Sequence, residues 1–208
     1  MISGSSKWSS HGTVFVPWAT LLLSSLALFA YLHTGAAPVD WVFDRTAIEQ
    51  GEWWRLLTGH WVHSDDGHAI WNIAALVLLG LVSERTMGNG MPVALIAATA
   101  AVDAWLWWGA PHLQQYCGLS GILNGLLAAA LARQWQLYRH PLILLIGVGA
   151  LVKIALEITS GQALFTQTAW PSVPESHAVG LLAGLVVAAA QTTLCRSHLY
   201  LPVTGSPQ

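Results

Sequence analysis

Charge is what this sequence has least of. Lys and Arg number 8 and Asp and Glu 10, so 9% of the 208 residues are charged, against roughly 25% in ordinary soluble domains. With 54% apolar residues, the chain cannot keep its apolar surface from water by folding as a soluble domain, and it reads as a membrane protein. Cysteine is scarce as well: only Cys117 and Cys195 occur. In the topology argued below they lie at opposite membrane faces, so they cannot pair within one chain and no disulfide framework is implied. An internal repeat and paired broken helices are also missing, which argues against a transporter. At this length there is no room for a second domain beside a membrane core.

What is present is a set of six apolar runs, at 14–32, 69–82, 91–111, 119–135, 142–158 and 178–194. Each is close to the roughly 17–25 residues that span a hydrocarbon core. Turn formers such as Gly88-Asn89-Gly90 and His140-Pro141 break the runs cleanly. The expected fold class is therefore an all-α membrane protein. A six-helix transmembrane core occupies residues 14–195, with short tails at 1–13 and 196–208. The one long connector, 34–67, is amphipathic, with Trp41, Trp53, Trp54 and Trp61 spaced among charges. It is expected to lie half in the headgroup layer, where tryptophan is a favoured anchor. The first run also has small residues after it, Gly35-Ala36-Ala37. It is too long for a signal-peptide core, and only Lys7 and no arginine precedes it.

The basic residues orient the chain. With the N-terminus cytoplasmic, Lys7, Arg85, Arg133, Arg139 and Arg196 fall inside, Arg45 and Arg55 fall outside, and Lys153 lies within a span. The positive-inside rule thus favours both termini in the cytoplasm.

In this topology His68 opens the second run, Ser120 opens the fourth and His177 opens the sixth, all at the outer face. Polar groups in apolar spans are costly and mark function. His68 and Asn72 are four apart, on one side of a helix. His177, Gly180 and Gly184 share a side of the last helix, and Ser120, Gly121, Asn124 and Gly125 cluster at the start of the fourth. Small residues at this spacing let two backbones approach closely, which brings His177 within reach of Ser120. A serine needs a base to become a nucleophile, and neutral histidine is the usual one. The developing oxyanion needs donors, which His68, Asn72 and the Ser120 backbone N–H can supply. No third acid is obvious beside His177, so a Ser-His dyad is expected. Each member alone has an ordinary structural explanation; the shared depth of all four makes the set specific.

Taken together, the H-x-x-x-N of His68 to Asn72, the G-x-S-G of Gly118 to Gly121 and the H-x-x-G-x-x-x-G of His177 to Gly184 resemble the rhomboid family of intramembrane serine proteases. The W-R of Trp54 and Arg55 and the E-x-x-x-G of Glu84 to Gly88 are similar too. The resemblance implies that Ser120 is the nucleophile and His177 the base and acid. His68, Asn72, Gly118 and Leu119 would support the oxyanion and substrate, while His63, Arg55 and Glu84 would be structural. Asn124 departs from the family, in which an aromatic residue often stands four after the serine. Its amide is expected to reach the cavity near His177 or the substrate.

The loop RLLTGHWVHSDDGH resembles the rhombosortase subfamily. That implies single-pass substrates with a glycine-rich C-terminal sorting tail in the inner membrane of Gram-negative bacteria, cut toward the periplasm. The acyl group would pass to water or to an amine acceptor. No cofactor, metal or nucleic acid is called for; the lipid bilayer is the other partner. Two rivals remain. A metal enzyme would use His60, His63 and His68, but HWVH lacks the glutamate of H-E-x-x-H. A catalytically dead, client-binding relative would lack the nucleophile or base. Lys153 and Glu157, four apart, are expected to pair with each other, and Asp103 has no evident partner.

Overall fold

The apolar runs become helices because proline is confined to their first turns or flanks. The computed structural model describes residues 15–164 and 168–199, with side chains only to residue 193. The expected tail at 1–13, the side chains of Cys195 and Arg196, and residues 200–208 lie outside it. Long helices run over Trp18–Thr34 (α1), Asp66–Met87 (α4), Gly90–Ala104 (α5), Ser120–Tyr138 (α6), Pro141–Ser160 (α7) and Pro174–Leu199 (α8). A π-helical turn, Trp105–Gly109, extends α5, and α8 continues through 196–199, which the sequence placed in a tail. Four helical stretches are long and apolar enough to cross a membrane: Asp66–Met87, Gly90–Gly109, Pro141–Ser160 and Pro174–Thr193. α1 is apolar but shorter, at 17 residues.

Side chains close several helix ends. Asp65 accepts from His68 N at 2.8 Å to cap α4, leaving fewer orphan donors in its first turn. Pro141 sits in the first turn of α7 behind His140, whose ring nitrogen accepts from Leu142 N. Glu84, at the far end of α4, accepts from Ala19 N, Thr20 N and Thr20 Oγ1 at 2.7–2.9 Å. The E-x-x-x-G element therefore clamps the start of α1 onto α4.

The connector from α1 to α4 is folded, where the sequence suggested a plain amphipathic loop. It holds a two-residue strand β1 (Phe43–Asp44) and short helices α2 (Arg45–Glu49) and α3 (Arg55–Thr58). β1 pairs antiparallel with β2 (Gln115–Tyr116), with Phe43 opposite Tyr116. The chain just before Ser120 is thus tied to the connector. Arg55 is buried and donates to Glu52 Oε2 and to the Val39 and Val42 carbonyls. Arg45 donates to the carbonyls of Leu106, Trp107, Ala110 and Leu113, satisfying groups that the π-helical end of α5 leaves open. Both arginines are structural.

At the centre stands α6, with α4, α5, α7 and α8 packed around it. Its partnership with α8 is the closest. A Cβ on Gly180 would overlap the carbonyl oxygen of Gly121, and one on Gly184 would overlap that of Gly125. Only glycine permits this approach, which is the one the spacing of small residues predicts. Leu119, Ile122, Leu123 and Leu126 fill the core on the other sides of α6.

Candidate active site

Close packing of α6 on α8 brings the two functional helix starts together. The Ser120 hydroxyl lies 2.9 Å from His177 Nε2, within hydrogen-bond reach. His177 is buried and Ser120 half-buried. Both line a cavity of about 580 Å³ shared with His68, Asn72, Tyr116, Asn124, Lys153 and Glu157. Ala163, Leu164, Thr168 and residues 170–173, beyond α7, also line it.

Gly118 sets the entry to α6. Its φ is +115°, a conformation that L side chains rarely adopt, and a Cβ there would meet the His68 ring at 2.5–2.6 Å. Its N–H donates to Gly59 O at 2.9 Å, and its carbonyl accepts from Tyr116 Oη at 3.1 Å. Leu119 does not line the cavity; its side chain is buried in the core. Asn72 Nδ2 is a buried donor with no protein partner, which leaves it to a water or a ligand. His68 Nδ1 lies 3.1 Å from Ser64 Oγ, which in turn donates to Asp65 Oδ2 at 2.7 Å. Asp65 also receives Ala169 N at 2.8 Å. Those hydrogen bonds hold its carboxyl below the usual carboxylate range although burial opposes them.

Two expectations need correction. Asn124 Nδ2 donates to Ser120 O, four residues back in its own helix, at 2.9 Å. Asn124 lines the cavity, but it makes no bond to His177. An Asn in a helix can satisfy itself on the preceding turn, and here it does. The second correction concerns the missing acid. Glu157 does bond Lys153 Nζ, at 2.6 Å, but its other oxygen lies 3.3 Å from His177 Nδ1. Glu157 is 1% exposed and also accepts from Leu164 N at 2.8 Å. Asp103, for which the sequence shows no partner, meets His60 Nε2 at 2.9 Å. That pair sits under Tyr116, whose ring packs edge-on against His60.

His63 is fully buried, and neither ring nitrogen has a partner. Burial, with a smaller push from the neighbouring His68, lowers its pKa to about 3. The folded protein therefore excludes a proton that the unfolded chain binds below about 6.5. Stability should fall as pH drops from 6.5 toward 3, by up to about 1.4 kcal/mol per pH unit. Unfolding in detergent between pH 7 and 4.5 should show this slope, and His63→Phe should flatten it. Equal slopes in the two proteins would exclude the effect. Among the described residues, no three His, Cys, Asp or Glu side chains converge as a metal site.

The rhomboid domain matches residues 50–193 of this chain. Over 151 residues the chain is 29% identical to Rhomboid protease GluP of Bacillus subtilis (strain 168), a stretch covering 71% of this chain and 28% of that protein. Over 103 residues it is 28% identical to Inactive RHOMBOID-like protein 8 of Arabidopsis thaliana, covering 47% of this chain and 29% of the relative. The chain spans less than a third of the length of each.

Proposed function

From the premise that this chain belongs to the rhomboid family, whose domain covers residues 50–193, we propose that it is an intramembrane serine endopeptidase with Ser120 as nucleophile. The observation that carries the proposal is the 2.9 Å contact between Ser120 Oγ and His177 Nε2 inside a cavity walled by membrane-length helices. In the reaction, Ser120 Oγ attacks the peptide carbonyl carbon while its proton passes to His177 Nε2. Collapse of the tetrahedral intermediate breaks the C–N bond, and the same proton goes to the leaving amine. The acyl group on Ser120 is then released to water or to an amine acceptor.

The oxyanion falls to the Ser120 N–H at the start of α6, to Asn72 Nδ2 and to His68 Nε2, which carries the ring proton when Ser64 Oγ donates to Nδ1 instead of to Asp65. Asn72 supports this role because its donor is buried and unpaired, ready for a charge that forms only during reaction. Asn72→Ala and His68→Ala should each lower kcat by about 10 to 1,000-fold, the range for losing one such donor, with little change in KM. Full kcat in both variants would reassign these residues to helix packing.

The bundle is read as six spanning helices, α1 and α4 to α8, in a bacterial inner membrane. Both termini are cytoplasmic and the cavity opens to the periplasm, as the basic residues favour. Among rhomboids the loop from Arg55 to His68 resembles the rhombosortases, and the substrates are exported single-pass proteins with a glycine-rich C-terminal tail. Physical chemistry supports such a substrate. A transmembrane helix hides its carbonyls in internal bonds, and each glycine costs it about 1 kcal/mol relative to alanine. A Gly-Gly pair near the outer interface frays and can enter a narrow cleft.

The protein in liposomes, mixed with two tailed substrates differing only in Gly-Gly against Leu-Leu at that depth, tests this. Cleavage of the glycine form alone is expected. Equal cleavage of both would remove the rhombosortase assignment, and cleavage of neither would favour a client-binding protein. The similarity to a relative named inactive makes that second reading concrete, while the intact Ser120–His177 pair favours activity.

A further inference from the structure

Glu157 has more donors around it than a simple ion pair needs. A lysine and a glutamate four apart on a helix ordinarily lie side by side along its surface, and Lys153 is indeed 35% exposed in its side chain. Glu157 is turned the other way, with 1% exposure. Its Oε1 accepts from Lys153 Nζ and from Leu164 N, at 2.6 and 2.8 Å, and its Oε2 faces His177 Nδ1 at 3.3 Å. A carboxylate is costly to bury unless both its oxygens are paired or hydrogen-bonded. Here Oε2 is met by the ring whose other nitrogen holds the Ser120 hydroxyl. Ser120, His177 and Glu157 stand in line, one from each of α6, α8 and α7.

Resting on the protease reading above, we infer that Glu157 is a positioning residue that completes a Ser120–His177–Glu157 triad. Accepting the Nδ1–H fixes the tautomer in which Nε2 is bare and can take the proton from Ser120. When that proton arrives, the ionised carboxylate stabilises the imidazolium; it takes no proton itself. Lys153 and the Leu164 N–H hold the Glu157 carboxyl in its aim at the ring. The cavity that His177 lines is also lined by Glu157 and Lys153 of α7, His68 of α4, Tyr116 and Cys117. Among these, Glu157 is the one acid.

The test uses an alkyl fluorophosphonate, which reports the nucleophile without a protein substrate. The full chain in detergent is labelled across a range of pH, and the rate at Ser120 is read by mass spectrometry. Glu157→Gln should slow labelling by about 100-fold or more, since an amide can hold the wrong tautomer and carries no charge. The acid limb of the pH profile should move to lower pH, because the imidazolium has lost its anionic neighbour. Lys153→Met should move that limb the opposite way, and Glu157→Asp should recover part of the rate. Wild-type rate and an unmoved limb in Glu157→Gln overturn the inference. Slower labelling with an unmoved limb also overturns it, since that is the mark of a merely structural residue. Both results leave the protease reading standing. A wild-type protein that is not labelled at Ser120 overturns both together.

Discussion

Replacing Ser120 by alanine should abolish cleavage of a transmembrane substrate while leaving the protein folded and in the membrane. The substitution removes one hydroxyl, whose bond in the fold is to His177 Nε2. The helix start stays in place, because α6 is held by the Gly118 turn and by core packing of Leu119, Ile122 and Leu123. The loss should be on the order of 10³- to 10⁶-fold in kcat, the scale seen when a serine hydrolase loses its nucleophile. His177→Ala should be equally inactive, since neither residue works without the other. Turnover within tenfold of wild type in Ser120→Ala would contradict the assignment, provided thermal stability in detergent is shown to be unchanged.

The second large effect is expected at a contact that involves no polar side chain. Gly180→Ala places a methyl group on the carbonyl oxygen of Gly121, and the obstacle is backbone, which no rotamer change can relieve. α6 and α8 must separate, at a cost of roughly 1–3 kcal/mol for overpacking. Because Ser120 and His177 sit on these same two helices, their separation grows too, and a misplacement of about 1 Å can cost about 100-fold in rate. Gly184→Ala, one turn further from the site and against Gly125 O, should lower stability similarly with a smaller loss of rate. Wild-type melting and wild-type kcat in Gly180→Ala would mean that the helices are not packed as described.

How much of this was visible beforehand depends on the range over which each residue acts. The run boundaries match the helices to within about five residues because apolar length and turn formers are local signals. The meeting of Ser120 with His177 was also legible, although the two are 57 residues apart. The small residues at Gly121, Gly125, Gly180 and Gly184 carry a period that defines the contacting faces. Glu157 was not. Its spacing to Lys153 is a complete explanation in itself, and its second contact depends on how far α7 is rotated about its axis, which no spacing fixes. The same holds for Asp103 and His60, 43 residues apart. Asn124 lines the cavity as its position suggests, but makes no bond to His177 because an amide in a helix has a nearer acceptor, the carbonyl four residues back. The β1–β2 pairing escaped notice because two-residue strands are too short to show alternation.

Intact-mass measurement of a cleaved substrate is the most direct test of the central claim. A single-pass protein with a Gly-Gly tail is co-expressed with this chain, and the released fragment is weighed. One new C-terminus within the outer part of the transmembrane segment is expected, present with the wild-type protein and missing with Ser120→Ala. A mass above that of the free acid would identify an amine as the acceptor. The same fragment appearing with Ser120→Ala, or cleavage confined to residues outside the membrane, would contradict the account.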